Sequence, residues 1–250
     1  MNAIIAGRWT KKAVHQFLTR GQWFASLSLA MQEKIVAHSE VVRLPAGAVL
    51  FRFGDPIEGL YVALEGDLRA YVMADDAERV FFRALGPGSW FGDTGLLDSG
   101  GQRLFDVNAA SAATVMFLPA QAHRELIEGD PAFYRAFVQL MCIHARHVTR
   151  ILIETRSEAP RRAARALLRL ARAHGIAASD GVRLGMNLSQ ADLASLVGVS
   201  RQYMNELIAR WEQEGFLRWN GKAQPQLNIE KLSGLLSPLD LWILDNEDWV

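Results

Sequence analysis

Apolar and polar positions change period several times along the chain. Residues 1–38 read as a helical lead-in, with Ser28 placed to cap an amphipathic segment that ends near His38. From 39 to 118 the pattern breaks into short apolar runs: Val41-Val42, Val49 to Phe51, Leu60 to Leu64, Val80 to Phe82 and Val115 to Leu118. Glycine- and proline-bearing turns separate them, and many short strands divided in this way predict a sandwich or barrel. A short helix is expected over 120–129. Helical spacing resumes at Pro131 and continues to about Thr155. Within it Tyr134, Phe137, Met141, His144, Val148 and Ile151 recur at alternating steps of three and four. That spacing suits a coiled-coil-like seam with a second copy of the chain, or a face laid on the chain's own barrel, and the two can coexist on different sides. Pro160 marks a boundary before an Arg/Ala/Leu helix over 161–174.

The segment Leu188 to Leu217 has the form of two short helices joined by a tight turn. Ser189 can cap the first helix, with Asp192 three residues on, and Ser200 can cap the second. Gly198 falls in the turn, where glycine adopts a positive φ without steric cost. Leu193, Val197, Val199, Met204 and Leu207 would lock the helices together, and Ala194 is small where they cross. Arg201, Gln202, Tyr203, Asn205 and Glu206 then face outward from the start of the second helix. This is the pattern of a DNA-binding helix-turn-helix, whose second helix enters the major groove; the bland alternative is a helical hairpin in a core. Phe216 to Trp219, the hairpin signal Asn220-Gly221 and Gln226 to Ile229 predict a following β-hairpin. With it the module would be winged, with Arg218 and Lys222 within reach of a phosphate.

Charge agrees with that placement. The whole chain is neutral, but residues 156–222 hold 11 Lys and Arg against 6 Asp and Glu. A basic excess confined to one region is what a phosphate-facing module requires. Arg161, Arg165, Arg169 and Arg172 lie along one helical face, which is either turned to the DNA backbone or simply solvated. The single cysteine, Cys142, excludes an internal disulfide and a multi-cysteine metal site, and its apolar neighbours suggest a buried structural thiol. His144 or His147, one turn apart on the long helix, could ligate haem, but a histidine on such a helical seam is more often packed or hydrogen-bonded. No signal-peptide pattern and no apolar run of membrane-spanning length is present, so a cytoplasmic chain is expected. Nucleophile motifs, metal-ligand spacing and a phosphate loop are all lacking, which argues against an enzyme.

The order of parts then resembles the CRP/FNR superfamily of bacterial transcription factors, over roughly residues 20–230. Besides the helix-turn-helix, Gly54-Asp55 with Gly59 to Leu68 is similar to the barrel signature of that family, and Pro87 to Leu104 to its phosphate-binding cassette. The resemblance implies an α+β fold: an N-terminal cyclic-nucleotide-binding-type β-barrel (jelly roll), a long dimerisation helix and a C-terminal winged helix-turn-helix. It implies a homodimer on a palindromic operator in double-stranded DNA, with RNA polymerase as a further partner. DNA contacts would come from Ser189, Gln190, Ser200, Arg201, Gln202, Tyr203, Asn205, Glu206 and Lys222. Effector contacts would come from Gly92, Asp93, Arg103, Leu104 and Thr149. Here Asp93 stands where the family has a glutamate and Leu104 where it has a hydroxyl residue, so a cyclic nucleotide would lose reach to its ribose and one donor to its phosphate. Arg103 then either anchors a phosphate or pairs with Asp93, Asp98 or Asp106. The alternative to a degenerate pocket is a regulator that answers to cyclic AMP, cyclic GMP or a cyclic dinucleotide, or a sensor acting through protein contacts. The expected domains are a barrel with its lead-in over 1–130, a dimerisation helix over 131–157, the DNA-binding domain over 158–232 and an extension over 233–250. That extension could dock on the barrel or on a partner subunit.

Overall fold

A computed structural model describes residues 8–73, 79–97, 101–219 and 224–245. Three helices lead: α1 (Lys11–Leu18), α2 (Gln22–Ser26) and α3 (Leu29–Ala37). Ser28 caps α3, its hydroxyl accepting from the Met31 amide. Eight short strands follow: β1 (Glu40–Leu44), β2 (Val49–Phe51), β3 (Gly59–Glu65), β4 (Leu68–Met73), β5 (Arg79–Leu85), β6 (Trp90–Phe91), β7 (Asp106–Ala109) and β8 (Ala113–Pro119). They form two four-stranded sheets, ordered β1-β8-β3-β6 and β2-β7-β4-β5. Strands distant in sequence are neighbours, as in a jelly roll. The β3–β8 ladder runs from Gly59 opposite Pro119 to Glu65 opposite Thr114, with a bulge after Ala63.

Helices α4 (Ala120–Gly129) and α5 (Pro131–Glu154) follow the barrel. The core joins the lead-in, one sheet and the first half of α5: Phe24, Ile35, Leu60, Trp90, Phe137 and Leu140 are all buried in it. Trp23 stands edge-on to Trp90, ring centroids 4.9 Å apart, and its indole N–H donates to the Ala136 carbonyl at 2.8 Å. Buried Gln32 donates to the carbonyls of Phe24 and Leu27, so its amide group is partnered within the core.

The remaining elements are α6 (Ala159–His174), β9 (Gly175–Ala178), β10 (Gly181–Leu184), α7 (Gln190–Val197), α8 (Arg201–Gln213), β11 (Leu217–Arg218), β12 (Gln226–Leu227), α9 (Ile229–Gly234) and α10 (Pro238–Asp245). Strands β9 and β10 extend the hairpin into a four-stranded sheet, β11-β12-β10-β9, which the sequence pattern did not predict. Their residues are mostly exposed and lack a strong alternation. Tertiary contacts divide the chain into two compact units, one of residues 8–79 and 84–147 and one of 80–83 and 148–245, so the break falls within α5. No helix among the described residues is long and apolar enough to cross a membrane.

One buried side chain makes the first unit sensitive to acid. His123 on α4 is buried, with its ring 4.2 Å from that of Phe137 and no hydrogen-bond partner for Nε2 among the described residues. Burial lowers its pKa from 6.5 to about 4. Between those values the unfolded chain takes up a proton that the folded chain excludes. Stability is therefore full above pH 6.5 and is lost as pH falls toward 4, on the order of 3 kcal/mol. His123→Phe removes that proton uptake. Its urea midpoint should fall less than that of the wild type between about pH 7.5 and about pH 4.5; an unchanged drop would assign the acid lability to other groups.

Candidate nucleic-acid interface and barrel cassette

The helix-turn-helix is built as its caps dictate. Ser189 accepts from the Asp192 amide at 3.0 Å and Asp192 accepts from the Ser189 amide at 3.1 Å, a reciprocal capping box on α7. Gly198 ends α7 at φ 70°, the left-handed conformation that a side chain disfavours, and its N–H closes the helix onto Ala194 and Ser195. Ser200 caps α8, accepting from the Tyr203 amide. Leu193, Ala194 and Val197 of α7 and Met204, Leu207, Ile208 and Trp211 of α8 are buried. The opposite side of α8 presents Arg201, Gln202, Tyr203, Asn205, Glu206 and Arg210 to solvent. Gln202 donates to the Glu206 carboxylate at 3.1 Å, one turn along. The hydroxyls of Ser189 and Ser200 already serve the caps, and Gln190 lies half-buried in the first turn of α7. Lys222 lies outside the described residues.

The hairpin exists with a different register. Leu217 pairs with Leu227 and Arg218 with Gln226, whereas a two-residue Asn220-Gly221 turn would set Arg218 against residue 223. Trp219 is buried and its N–H donates to the Glu212 carboxylate at 2.6 Å, so the strand leaves the ladder at that point. Pro225 has no N–H to donate. Residues 220–223 lie outside the described residues. Arg218 is exposed and paired with Asp180 at 3.3 Å.

The α6 arginine series is only partly the solvated face that the sequence allowed: Arg161 and Arg172 are exposed, whereas Arg165 is buried and Arg169 half-buried against carboxylates. Arg165 is only 2 % exposed. Its Nη1 lies 3.1 Å from Asp240 of α10 and 3.7 Å from Glu154, in the last turn of α5. Arg169 donates to the same Glu154 at 2.8 Å, Arg172 to the Leu244 carbonyl, and Arg161 lies 3.9 Å from Asp240. The extension therefore docks on α6. The sequence reading passed over Arg162, whose Nε donates at 2.9 Å to the Val197 carbonyl, at the carboxyl end of α7.

In the barrel, Arg103 reaches inward onto backbone carbonyls rather than onto Asp93 or Asp106, and Asp98 lies outside the described residues. Nη1 donates to the Gly92 carbonyl at 2.8 Å and Nη2 to the Gly59 carbonyl at 2.9 Å. The guanidinium lies over the rings of Phe51, 4.3 Å away, and Tyr61, 5.4 Å away. Burial lowers the Arg103 pKa, partly offset by Tyr61 and Glu58, and burial raises that of Tyr61. Gly92 sits at φ 87°, and a Cβ there would stand 2.7 Å from Arg103 Nη1, so both backbone conformation and space require glycine. Asp106 accepts from the Phe53 amide and lies 3.4 Å from Arg79. Asp93 is buried against His144 of α5, with Nδ1 2.8 Å from Oδ2. Leu104 is 59 % exposed, and Thr149 is exposed on α5.

Helix α5 also revises the expected seam. Phe137 is 1 % exposed in the core and His144 is held on Asp93, so neither is free to meet a second chain. Met141 is partly buried against the same core. The exposed apolar line runs through Tyr134, Val138, Val148 and Leu152, with Ala145 between them. It is turned by part of a helical step from the predicted stripe, because the chain's own barrel takes the 137 and 144 side. The side chain of Ile151 lies outside the described residues. Cys142 is exposed rather than buried, in a cleft of about 530 Å³ between α2 and α5 that is also lined by Trp23, Arg135, Val138 and Arg146.

Comparison with known proteins places both regions. A cyclic nucleotide-binding domain family matches residues 41–130, and a Crp-like helix-turn-helix domain family matches residues 161–237. The chain is 24% identical over 219 residues to the CRP-like cAMP-activated global transcriptional regulator of Mycobacterium tuberculosis, covering 87% of this chain and 97% of that one. It is 20% identical over 211 residues to the cAMP-activated global transcriptional regulator CRP of Haemophilus influenzae, covering 84% and 93%. Among solved structures, FixK2 from Bradyrhizobium japonicum superposes with a TM-score of 0.68 at 20% identity, over 80% of this chain and 98% of that one. A CRP/FNR-family transcriptional regulator from Thermus thermophilus does so with a TM-score of 0.64 at 25% identity, over 78% and 97%. Helix α10 begins where the helix-turn-helix match ends.

Proposed function

The chain belongs to the CRP/FNR family of DNA-binding transcription regulators, and from that membership we propose that it reads an inverted-repeat operator as a homodimer, with a barrel cassette already occupied by its own backbone. The observation that carries the DNA part is the division of α8: one face buried against α7, and Arg201, Gln202, Tyr203, Asn205 and Glu206 exposed on the other. Arginine suits the O6/N7 edge of guanine, glutamine suits adenine, and a glutamate accepts from the cytosine amino group. The Gln202–Glu206 bond holds two of these side chains in a fixed relation before DNA arrives. Two such helices in a twofold dimer read half-sites about one helical turn apart. As part of the same reading, the protein meets RNA polymerase at promoters and works in the cytoplasm.

Exposed apolar side chains on α5 support the dimer. Val148 and Leu152 are 64 % and 68 % exposed in the single chain, and a second copy of the helix would cover them.

The cassette reading rests on Arg103. A phosphate would have to replace two carbonyl acceptors at 2.8 and 2.9 Å and draw the guanidinium off Phe51 and Tyr61. Each hydrogen bond to a charged group contributes about 1.5–3 kcal/mol, so displacement cancels much of what one arginine–phosphate pair supplies. Asp93, already held by His144, is equally engaged. The second reading, that the barrel takes a cyclic nucleotide, is suggested by the relatives named as cAMP-activated and favoured by the presence of Gly92 and Arg103.

Three outcomes follow. Arg201→Ala should weaken binding to an operator selected from random duplexes by about 1–3 kcal/mol in a gel-shift assay, with relaxed preference at one base pair per half-site. Unchanged affinity would remove Arg201 from the reading face. Val148→Glu puts a charge into the dimer face, and light scattering should then report a monomer; a variant that stays dimeric at micromolar concentration would place the interface elsewhere. Isothermal titration with cyclic AMP and cyclic GMP should detect no micromolar binding. Micromolar binding abolished by Arg103→Ala would overturn the occupied cassette and restore a nucleotide switch.

A further inference from the structure

The carboxylates around Arg165 come from both ends of the second unit. Glu154 closes α5, and Asp240 belongs to α10, outside both matched domain families. Asp240 has two tasks. Its Oδ2 accepts from the Ser237 amide and hydroxyl, at 2.9 and 2.7 Å, and the Ser237 hydroxyl accepts from the Asp240 amide, so the residue closes a capping box at the start of α10. Its Oδ1 faces Arg165 at 3.1 Å. One turn further along α6 Arg169 grips Glu154, and two turns along Arg172 grips the end of α10 at Leu244. One turn before Arg165, Arg162 holds the carboxyl end of α7. Helix α6 is thus a bar with α5, α10 and α7 each tied to it by an arginine.

A stability role explains this arrangement poorly. Arg165 is buried, and its Nε and Nη2 have no hydrogen-bond partner among the described residues. A buried cation with incomplete partners stabilises a fold little better than well-packed apolar residues of the same volume. What it does supply is direction, because a guanidinium held between two carboxylates fixes both carriers.

We propose that α10 is a strut for the DNA-reading helices: Asp240 fixes Arg165, and Arg165 fixes the last turn of α5 at Glu154 against the helix that carries α7. Asp240 is then a positioning residue for DNA recognition, although it lies beyond the helix-turn-helix. The proposal rests on the DNA-binding reading for its functional consequence, but the mechanical coupling can be tested apart from it.

Hydrogen exchange by mass spectrometry on the full chain reads the coupling, and gel shift with the selected inverted-repeat duplex reads the consequence. In Asp240→Asn, exchange in the peptide over 150–158 should rise about tenfold, because Arg165 links residue 240 to Glu154 in that segment. Operator affinity should fall about tenfold while binding to an unrelated duplex stays within about twofold. Asp240→Glu should restore both. If Asp240→Asn folds poorly, Asp240→Leu with Arg165→Met keeps the volume. That pair should melt at or above the wild-type temperature and still show the faster exchange and weaker operator binding. Exchange that rises only over 238–245, or wild-type operator affinity in either variant, would overturn the strut. A wild-type chain that bound no duplex would instead sink the DNA-binding reading, and the exchange measurement would still decide the coupling.

Discussion

Helix α5 has one cylindrical surface to divide among several neighbours, and the rest of the structure follows from that division. At 3.6 residues per turn, each neighbour can claim only part of the circumference. The barrel core takes Phe133, Phe137 and Leu140, and the cassette takes His144 through Asp93. The α6 arginines take Glu154. The line from Tyr134 through Val138 to Val148 and Leu152 is left in solvent. Because the core side is fixed by large aromatic side chains that have nowhere else to go, the exposed line can shift only if the barrel repacks.

Buried arginines settle the chemistry of both units in opposite ways. Arg103 is held directly by dipoles: two backbone carbonyls accept from it and two aromatic faces lie against it, with Glu58 and Asp93 acting on it through space while Asp93 bonds His144. Arg165 is matched to carboxylates on two other helices. In each case a group that solvent would hold loosely is held in one orientation, because in a low-dielectric interior leaving it unpaired costs more than ordering it. The first arrangement ties the cassette to the barrel backbone at Gly59 and Gly92. The second joins the C-terminal extension to α6 and the end of α5.

The helix-turn-helix depends less on its surroundings. Its caps, its left-handed glycine and its apolar contacts are all local, and its exposed residues need only a straight, well-anchored α8. The dependence on context enters at α6, whose Arg162 fixes where α7 ends.

What was legible in the sequence was whatever repeats or terminates locally. The Ser28, Ser189 and Ser200 caps, the positive φ at Gly198, the run of short strands and the long helix after Pro131 each follow from spacing and backbone preference over a few residues. The recognition of Gly92 and Arg103 as a matched pair was equally available. The sequence could not say what Arg103 points at, because its acceptors at Gly59 and Gly92 come from residues 44 and 11 positions away. Nor could periodicity separate the core side of α5 from its free side, since Phe137 and Val138 look alike until a barrel lies against one of them. The wing register turned on Trp219 giving its N–H to Glu212, a choice that no turn signal records. The four α6 arginines read as a surface because charge usually means solvent; only the fold brought Glu154 and Asp240, 86 residues apart, to the Arg165 guanidinium and buried that one arginine while Arg161 and Arg172 stay exposed.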